Sequence, residues 1–226
     1  ILAAVKSYFY LRNVVKNKNY KALVTTGPTR EYLDPVRFIS NESSGKQGYE
    51  IALALSRRGI KTKLITGPSN LVHQQEIKSK KIFTADEMFA EVKRSLPVDV
   101  AVCAAAVSDF KPVKKNKNKI KKEQGSIRYI EIEKNIDILE FLGKSNRYRP
   151  KLVVGFSAET EKLNKNSLIK LRKKNCDLVV ANNVSKKDRG FNSDYNEVSI
   201  LDNNGNIRLI KKNKKSIIAS KIADII

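Results

Sequence analysis

The sequence predicts an α/β protein built on a mainly parallel sheet in three layers. Three observations carry this expectation. Short apolar runs alternate with segments of helical period along most of the chain, the pattern of strands joined by crossover helices. Several runs are continuously apolar rather than alternating, as in strands covered on both faces. Most of them end in small or turn-forming residues. A parallel sheet with helices on both faces is Rossmann-like.

The elements follow in order. "KALVTTG" (21–27) is the first strand. Residues 46–58 read as a helix with Ile51, Ala52 and Leu55 on one face, stopped by Gly59. "KTKLITG" (61–67) and "KIFTA" (81–85) are the next strands. Thr84 and Glu87 form a capping-box pattern for a helix that carries Met88, Val92 and Leu96 and ends at Pro97. "VDVAVCAAA" (98–106), "KLVVGFSA" (151–158) and "CDLVVAN" (176–182) are further strands. A helix over 159–174 turns Leu163, Leu168 and Leu171 toward a core. "NEVSILD" and "NIRLI" flank "NNG", a hairpin signal. The last segment, "KSIIASKIADII", spaces Ile218, Ile222, Ile225 and Ile226 on one helical face. Residues 110–134 interrupt the alternation. They are lysine-rich and poor in apolar residues, with a short strand at "SIRYIEIE", and are expected to form a lysine-rich flap.

Composition limits the function classes. The chain has 226 residues, 41% hydrophobic and 30% charged, which suits one large α/β domain or two small ones. No apolar run approaches the ~20 residues of a membrane helix. The two cysteines, Cys103 and Cys176, sit in apolar runs and read as buried, reduced thiols in a cytoplasmic setting. The single His73, in "SNLVHQQE", reads as a surface residue. No His/Cys cluster suggests zinc, and a Ser-His-Asp triad would need this one histidine. The net charge of +22 fits either nucleic acid or small polyanionic ligands. The runs "KKNKNKIKK" and "IKKNKKS" lack interleaved aromatics, which weighs against nucleic acid. The opening "ILAAVKSYFYL" reads as an amphipathic helix cut from something longer. Residues 1–19 are therefore expected to be a tail or linker helix, and 20–226 the domain.

The segment after the first strand draws attention. It takes about eighteen residues to reach its helix, where a βα connection usually takes roughly 2–6. Long loops at the carboxyl ends of parallel strands are where such sheets bind ligands. The segment reads "GPTREYLDPVRFISNESSG". It contains neither a P-loop nor GxGxxG, and the second strand ends "LITGPS" without a ribose-binding acid. Ser43, Ser44 and Gly45 stand at a helix N-terminus, where N–H groups and the dipole favour an anion. One of the serines could equally be a simple N-cap. Arg37 and Asn41 upstream favour phosphate or carboxylate recognition, and Gly48 leaves room for close approach.

Other polar groups could converge on the same end of the sheet. Asp109, just past the strand of "AAAVSDF", could receive hydrogen bonds from a sugar or base, hold a metal, or serve as a turn residue. Phe156 in "GFSAET" could stack on a base or pack in the core. Lys170 and Lys174 share a helix face, which is either solvated or directed at an anion. The "KIKK" of 119–122 could close ammonium groups on a polyphosphate.

Taken together, "GPTRE", "DPVRFISNESSGKQG", "AAAVSDFKP", "KIKK", "GFSAET" and "KNCDLVVANNV" resemble the phosphopantothenoylcysteine synthetase family. The resemblance is to the C-terminal half of bacterial bifunctional coenzyme A biosynthesis proteins, and spans about residues 20 to 210. It implies a CTP-dependent ligase that joins 4′-phosphopantothenate to L-cysteine through an acyl-cytidylate. Pyrophosphate and then CMP would be released, with Mg²⁺ screening the triphosphate. It also implies that Asn41 orients the acyl-cytidylate with Arg37 close by, and that Lys119 neutralises the triphosphate. The backbone of Cys103, Ala104 and Ala105, with Asp109, would contact CTP. Ile136, Asp137, Ile138 and Leu139, with Phe156, would line the nucleotide pocket, and Lys170 and Lys174 would complete it. Ser43, Ser44 and Gly45 as phosphate ligands rest on the helix terminus alone. The metal ligands are not identified. The resemblance further implies a homodimer, and a larger assembly when a flavin-dependent decarboxylase half is attached. That half is absent beyond residues 1–19, so no flavin chemistry is expected. Two departures stand out: Gln47 where the family has Met, and Ile136 where it has Pro. A nicotinamide-dependent reductase and a basic nucleic-acid-binding module are the rival readings.

Overall fold

The computed structural model of the chain describes residues 19–71, 77–121, 129–144, 147–185 and 193–226. The chain runs β1 (Lys21–Thr26), β2 (Arg30–Tyr32), β3 (Phe38–Ser40), α1 (Lys46–Arg57), β4 (Lys61–Thr66), β5 (Lys78–Lys81), α2 (Ala85–Ser95) and β6 (Val100–Cys103). Then come β7 (Phe110–Pro112), β8 (Ile132–Lys134), α3 (Ile138–Lys144), β9 (Leu152–Glu159), α4 (Leu163–Lys173), β10 (Leu178–Asn183), β11 (Tyr195–Asp202), β12 (Ile207–Lys214) and α5 (Lys215–Ala223).

Eight strands form one sheet in the order β12-β11-β10-β9-β6-β1-β4-β5. The six from β10 to β5 are parallel, and β11 and β12 add antiparallel pairings at one edge. The continuous apolar runs have the expected cause. Alternate residues of each strand enter cores on opposite faces. Val24, Val102, Val154 and Val180 pack with Ile51 and Leu55 of α1 and Ile218 and Ile222 of α5. Leu23, Ala101, Val153 and Val179 pack with Met88 of α2, Leu142 of α3 and Leu171 of α4. The three-layer, Rossmann-like arrangement is therefore the observed one.

Several boundaries differ from the sequence reading. Residues 81–85 are not a strand. The fifth strand is "KSKK", with all four residues exposed. It has no apolar run because it is an edge strand paired only with β4, and lysines on such an edge oppose further strand addition. Thr84 instead starts α2, where Thr84 Oγ1 accepts from Glu87 N at 3.2 Å and Glu87 Oε2 accepts from Thr84 N at 3.4 Å. The strand read over 98–106 is shorter, Val100–Cys103, and beyond it Ala104 N and Ala106 N still donate to Thr25 O and Gly27 O alongside β1. Helix α4 starts only at Leu163, since β9 runs on to Glu159. Helix α3 was not expected, because it is only seven residues long. His73 and residues 122–128 of the expected flap lie outside the described residues. Within 110–134, β7 and β8 pair antiparallel.

The sheet order places the switch point between β1 and β6. From β1 the chain moves to β4 and β5 on one side, then returns to β6 on the other. The carboxyl ends of these two strands diverge into a crevice. The start of α1 is pressed against this point. Thr26 Oγ1 donates to Gly45 O at 2.6 Å. A Cβ at Gly48 would lie 2.4 Å from Thr26 Oγ1 and 3.1 Å from Ala104 Cβ. Gly48→Ala is therefore expected to push α1 off β1, lowering stability by about 1–3 kcal/mol. Urea denaturation of the two chains measures this.

Candidate functional site

The long connection after β1 is structured. Residues 30–32 and 38–40 pair as a hairpin. Three polar contacts fix it to its surroundings. Glu31 is buried, and its Oε1 accepts from Ala85 N at the start of α2 at 3.0 Å. Ser40 Oγ donates to Thr29 O at 2.7 Å. Thr29 Oγ1 accepts from Ser108 N at 3.0 Å, tying the segment after β6 to the segment after β1.

Asp34 organises the turn. Its carboxylate is fully buried, and Oδ1 accepts from Val36 N and Arg37 N at 2.8 Å each. Oδ2 accepts from Arg37 Nη1 at 2.6 Å and from Ile120 N at 3.2 Å. Arg37 Nη1 also donates to Ile120 O at 3.1 Å, and Asn116 N donates to Leu33 O at 2.8 Å. Burial alone would raise the carboxyl's pKa. The three backbone N–H groups and the Arg37 guanidinium outweigh it and bring it from 3.8 to about 2. One acid thus joins the β2–β3 turn to the lysine-rich segment that contains Lys119.

Beyond this hairpin lies a cavity of about 600 Å³ at the carboxyl ends of the parallel strands. Its floor is Thr25 and Thr26 of β1 and Cys103 of β6. Residues Ala104 to Asp109 continue along one wall, with Asn135 to Leu139 beside them. Asn41, Ser43, Ser44 and Gly45 form the approach to α1, and Lys46, Gln47 and Gly48 its first turn. Phe156, Ala158, Lys170 and Asn182 close the far strands, and Asn196 and Lys215 the side nearest α5.

Most residues singled out in the sequence meet here. Asn41 is exposed, with its Nδ2 donating to Val107 O at 2.9 Å. Ser43 Oγ and Ser44 Oγ accept from Gly45 N and Lys46 N at 3.2 and 3.5 Å, while Gly45 itself is the N-cap, at a φ of 72°. That conformation suits glycine. Neither serine caps the helix in the ordinary way. The Cys103 thiol is pushed up to about 12, chiefly by burial. Asp137 Oδ1 accepts from Glu140 N at 2.8 Å in the first turn of α3.

Three predicted residues stand outside the cavity wall: Arg37, Lys119 and Lys174. Arg37 holds Asp34 and the lysine segment, as described. Lys119 is exposed next to the anchored Ile120. Lys174 Nζ lies 2.7 Å from Asp137 Oδ2 and 2.6 Å from Glu140 Oε2. Burial opposes its charge, but these two carboxylates outweigh it and raise its pKa. Glu140 is lowered to about 2 by Lys144 and then by Lys174.

The sequence reading missed the α5 side of the site. Lys215 is only 3% exposed and lines the cavity. Burial, then the charge of Lys46, pushes it down to about 8, and Asp194 partly offsets this. Lys46 Nζ lies 2.6 Å from Asp194 Oδ1. Gln47 Nε2 donates to Lys215 O, and Asn196 Nδ2 donates to Gln47 Oε1, both at 3.3 Å. The glutamine that departs from the expected Met thus links α1 to α5 and β11. Lys46 was visible within "SSGKQG". Lys215 was not, because it opens an apolar helical pattern with no local sign of the site.

Fold and site together define an α/β domain with a ligand cavity at the switch point of a parallel sheet. Residues 17–226 match the family of the DNA/pantothenate metabolism flavoprotein C-terminal domain. The chain is 36% identical over 227 residues to the coenzyme A biosynthesis bifunctional protein CoaBC of Haemophilus influenzae, covering 100% of this chain and 56% of that protein. It is 38% identical over 210 residues to CoaBC of Escherichia coli, covering 92% and 51%. The crystal structure of a CoaBC C-terminal domain superposes with a TM-score of 0.74 at 31% identity, covering 90% of this chain and 92% of that one. The chain belongs to this family. It spans about half the length of the curated relatives it matches.

The Asp34 anchor has a consequence at acid pH. Its pKa is lower in the folded chain than in the unfolded one. Its stabilisation is complete above about pH 4 and lost as pH falls through about 2. Urea denaturation across this range should show the loss, and the Asp34→Asn variant should lack this component of it. Amide exchange at Asn116 and Ile120 should be faster in that variant than in the wild type.

Proposed function

We propose that this chain is a phosphopantothenate–cysteine ligase that uses CTP. The observation that carries the reading is convergence. Asn41, Cys103 to Ala105, Asp109, Ile136 to Leu139, Phe156 and Lys170 come from separate parts of the chain and line one cavity. The family and its CoaBC relatives support coenzyme A biosynthesis as the setting.

The chemistry needs positioning and positive charge. The carboxylate of 4′-phosphopantothenate attacks the α-phosphorus of CTP, forming the acyl-cytidylate and releasing pyrophosphate. The cysteine amine then attacks the acyl carbon, the amide forms and CMP leaves. Both partners in the first step are anions, so lysines around the cavity lower its barrier. Lys170 contributes from α4, and Lys119 from the segment that Arg37 and Asp34 hold in place. Asn41 orients the reacting carboxylate and phosphate with its amide. Asp137, with its charge shared by Lys174, and the backbone of Cys103 to Ala105 line the nucleotide end. No nucleophilic side chain is needed, and a thiol held at about 12 keeps Cys103 protonated.

Among the described residues no three His, Cys, Asp or Glu side chains group to hold a metal. Mg²⁺ would enter with the nucleotide, where it would screen the charge of the triphosphate. It belongs to the substrate. Asp109 is the candidate carboxylate beside it.

A homodimer is part of this proposal. Phe38, Phe110, Val113, Ile130 and Ile132 are exposed on and around the hairpins β2–β3 and β7–β8, an apolar surface that a second copy would cover. Fusion to the decarboxylase half that the sequence resemblance implies would enlarge the assembly. A cytoplasmic setting is supported by the free thiols Cys103 and Cys176. No helix among the described residues is long and apolar enough to cross a membrane.

Incubation with CTP, Mg²⁺ and 4′-phosphopantothenate, without cysteine, should release pyrophosphate. Folded protein that releases none would sink the reading. Asn41→Asp should lower turnover by about 10²-fold with the thermal midpoint unchanged, since the side chain is exposed.

A further inference from the structure

The charged nucleotide contacts implied by the family lie on the α3–α4 side of the sheet, and none of them is on the α1–α5 side of the cavity, where Phe156 packs. That side is cationic. It is formed by Lys215 at the first residue of α5 and Lys46 at the first residue of α1, with Asn182 and Asn196 between the strand ends. Lys215 is buried and lines the cavity. Its backbone is held on both sides, since Lys215 N donates to Asp194 O at 2.9 Å and Lys215 O accepts from Gln47. Asp194 draws Lys46 to the rim, where both groups are more exposed than Lys215.

We propose that Lys215 is a phosphate-binding residue of this site. The proposal rests on the ligase reading and deepens it, by assigning the α1–α5 side of the cavity to a phosphate group of one of the two anionic substrates. An anion that enters the cavity meets the Lys215 ammonium at a buried wall, where attraction between opposite charges is weakly screened. The neighbouring Lys46 adds a second positive charge, and Asn182 and Asn196 offer amide donors for the remaining oxygens. Gln47 is a positioning residue, because it links the backbone of Lys215 to Asn196. Two sources supply the same chemistry: the phosphomonoester of 4′-phosphopantothenate, and the terminal phosphates of CTP that leave as pyrophosphate.

The test compares the wild type with Lys215→Met, which keeps the stem and removes the charge, and with Lys215→Arg, which keeps the charge. Kinetics are measured with each substrate varied in turn, and calorimetry with pyrophosphate and with 4′-phosphopantothenate, each alone. A charged hydrogen bond lost at this position should weaken binding by about 10- to 100-fold. If the source is the phosphomonoester, the Met variant should raise the KM for 4′-phosphopantothenate by that factor. It should also lose selectivity over unphosphorylated pantothenate to the same degree, with the KM for CTP unchanged. If the source is the nucleotide, the KM for CTP should rise and pyrophosphate affinity fall together. In either case Lys215→Arg should recover most of the loss. A folded Lys215→Met protein whose two KM values and pyrophosphate affinity stay within twofold of the wild type overturns the proposal. Absence of pyrophosphate release from the wild type would instead overturn the ligase reading, and the calorimetric comparison would still judge Lys215.

Discussion

The site depends on how closely the end of β1 and the start of α1 approach each other. Thr26 and Gly45 meet through a 2.6 Å hydrogen bond, and Gly48 lies against Thr26 where no Cβ fits. This contact brings the first turn of α1 to the mouth of the sheet's switch point. A chain that had merely crossed from strand to helix would have put that helix farther out. The cavity, its floor of Thr25 and Cys103, and the position of Lys46 all follow from that one approach.

The long excursion between these two points has its own logic. A buried acid at the turn, Asp34, gathers three backbone donors and a guanidinium. Arg37 was expected beside the reacting groups. In the structure its guanidinium is committed to Asp34 and to the carbonyl of Ile120. Its charge is therefore spent on fixing the segment that carries Lys119. Lys174 works similarly, holding Asp137 at the cavity wall and Glu140 behind it. Charges that look catalytic in sequence can thus serve by fixing the geometry of their neighbours.

Charge is distributed unevenly around the cavity. Lys170 stands on the α4 side, and Lys46 and Lys215 on the opposite side. Positive charge therefore faces the cavity from two directions. Cys103, whose thiol burial pushes up to about 12, lies on the floor of the cavity. The large formal charge of +22 is mostly elsewhere, on exposed surfaces such as the edge strand β5.

The sheet, its parallel sense and its two covered faces were legible in the sequence, because strands buried on both sides must be apolar at every position. Collinear motifs at the strand ends also marked most of one side of the cavity, since local turns carry their own residue signatures. The edge strand β5 escaped notice because an exposed edge has no apolar pattern to detect, and α3 because seven residues are too short for a helical period. Lys215 was invisible for a different reason. Its place beside Lys46 and Asn196 is created by α5 packing on α1 across a long separation in the chain, and no local sequence pattern records a long-range contact. The residue types and the fold were set locally by hydrophobic period and turn chemistry; which charges face the cavity, and which are spent on holding others, was decided only by the tertiary packing.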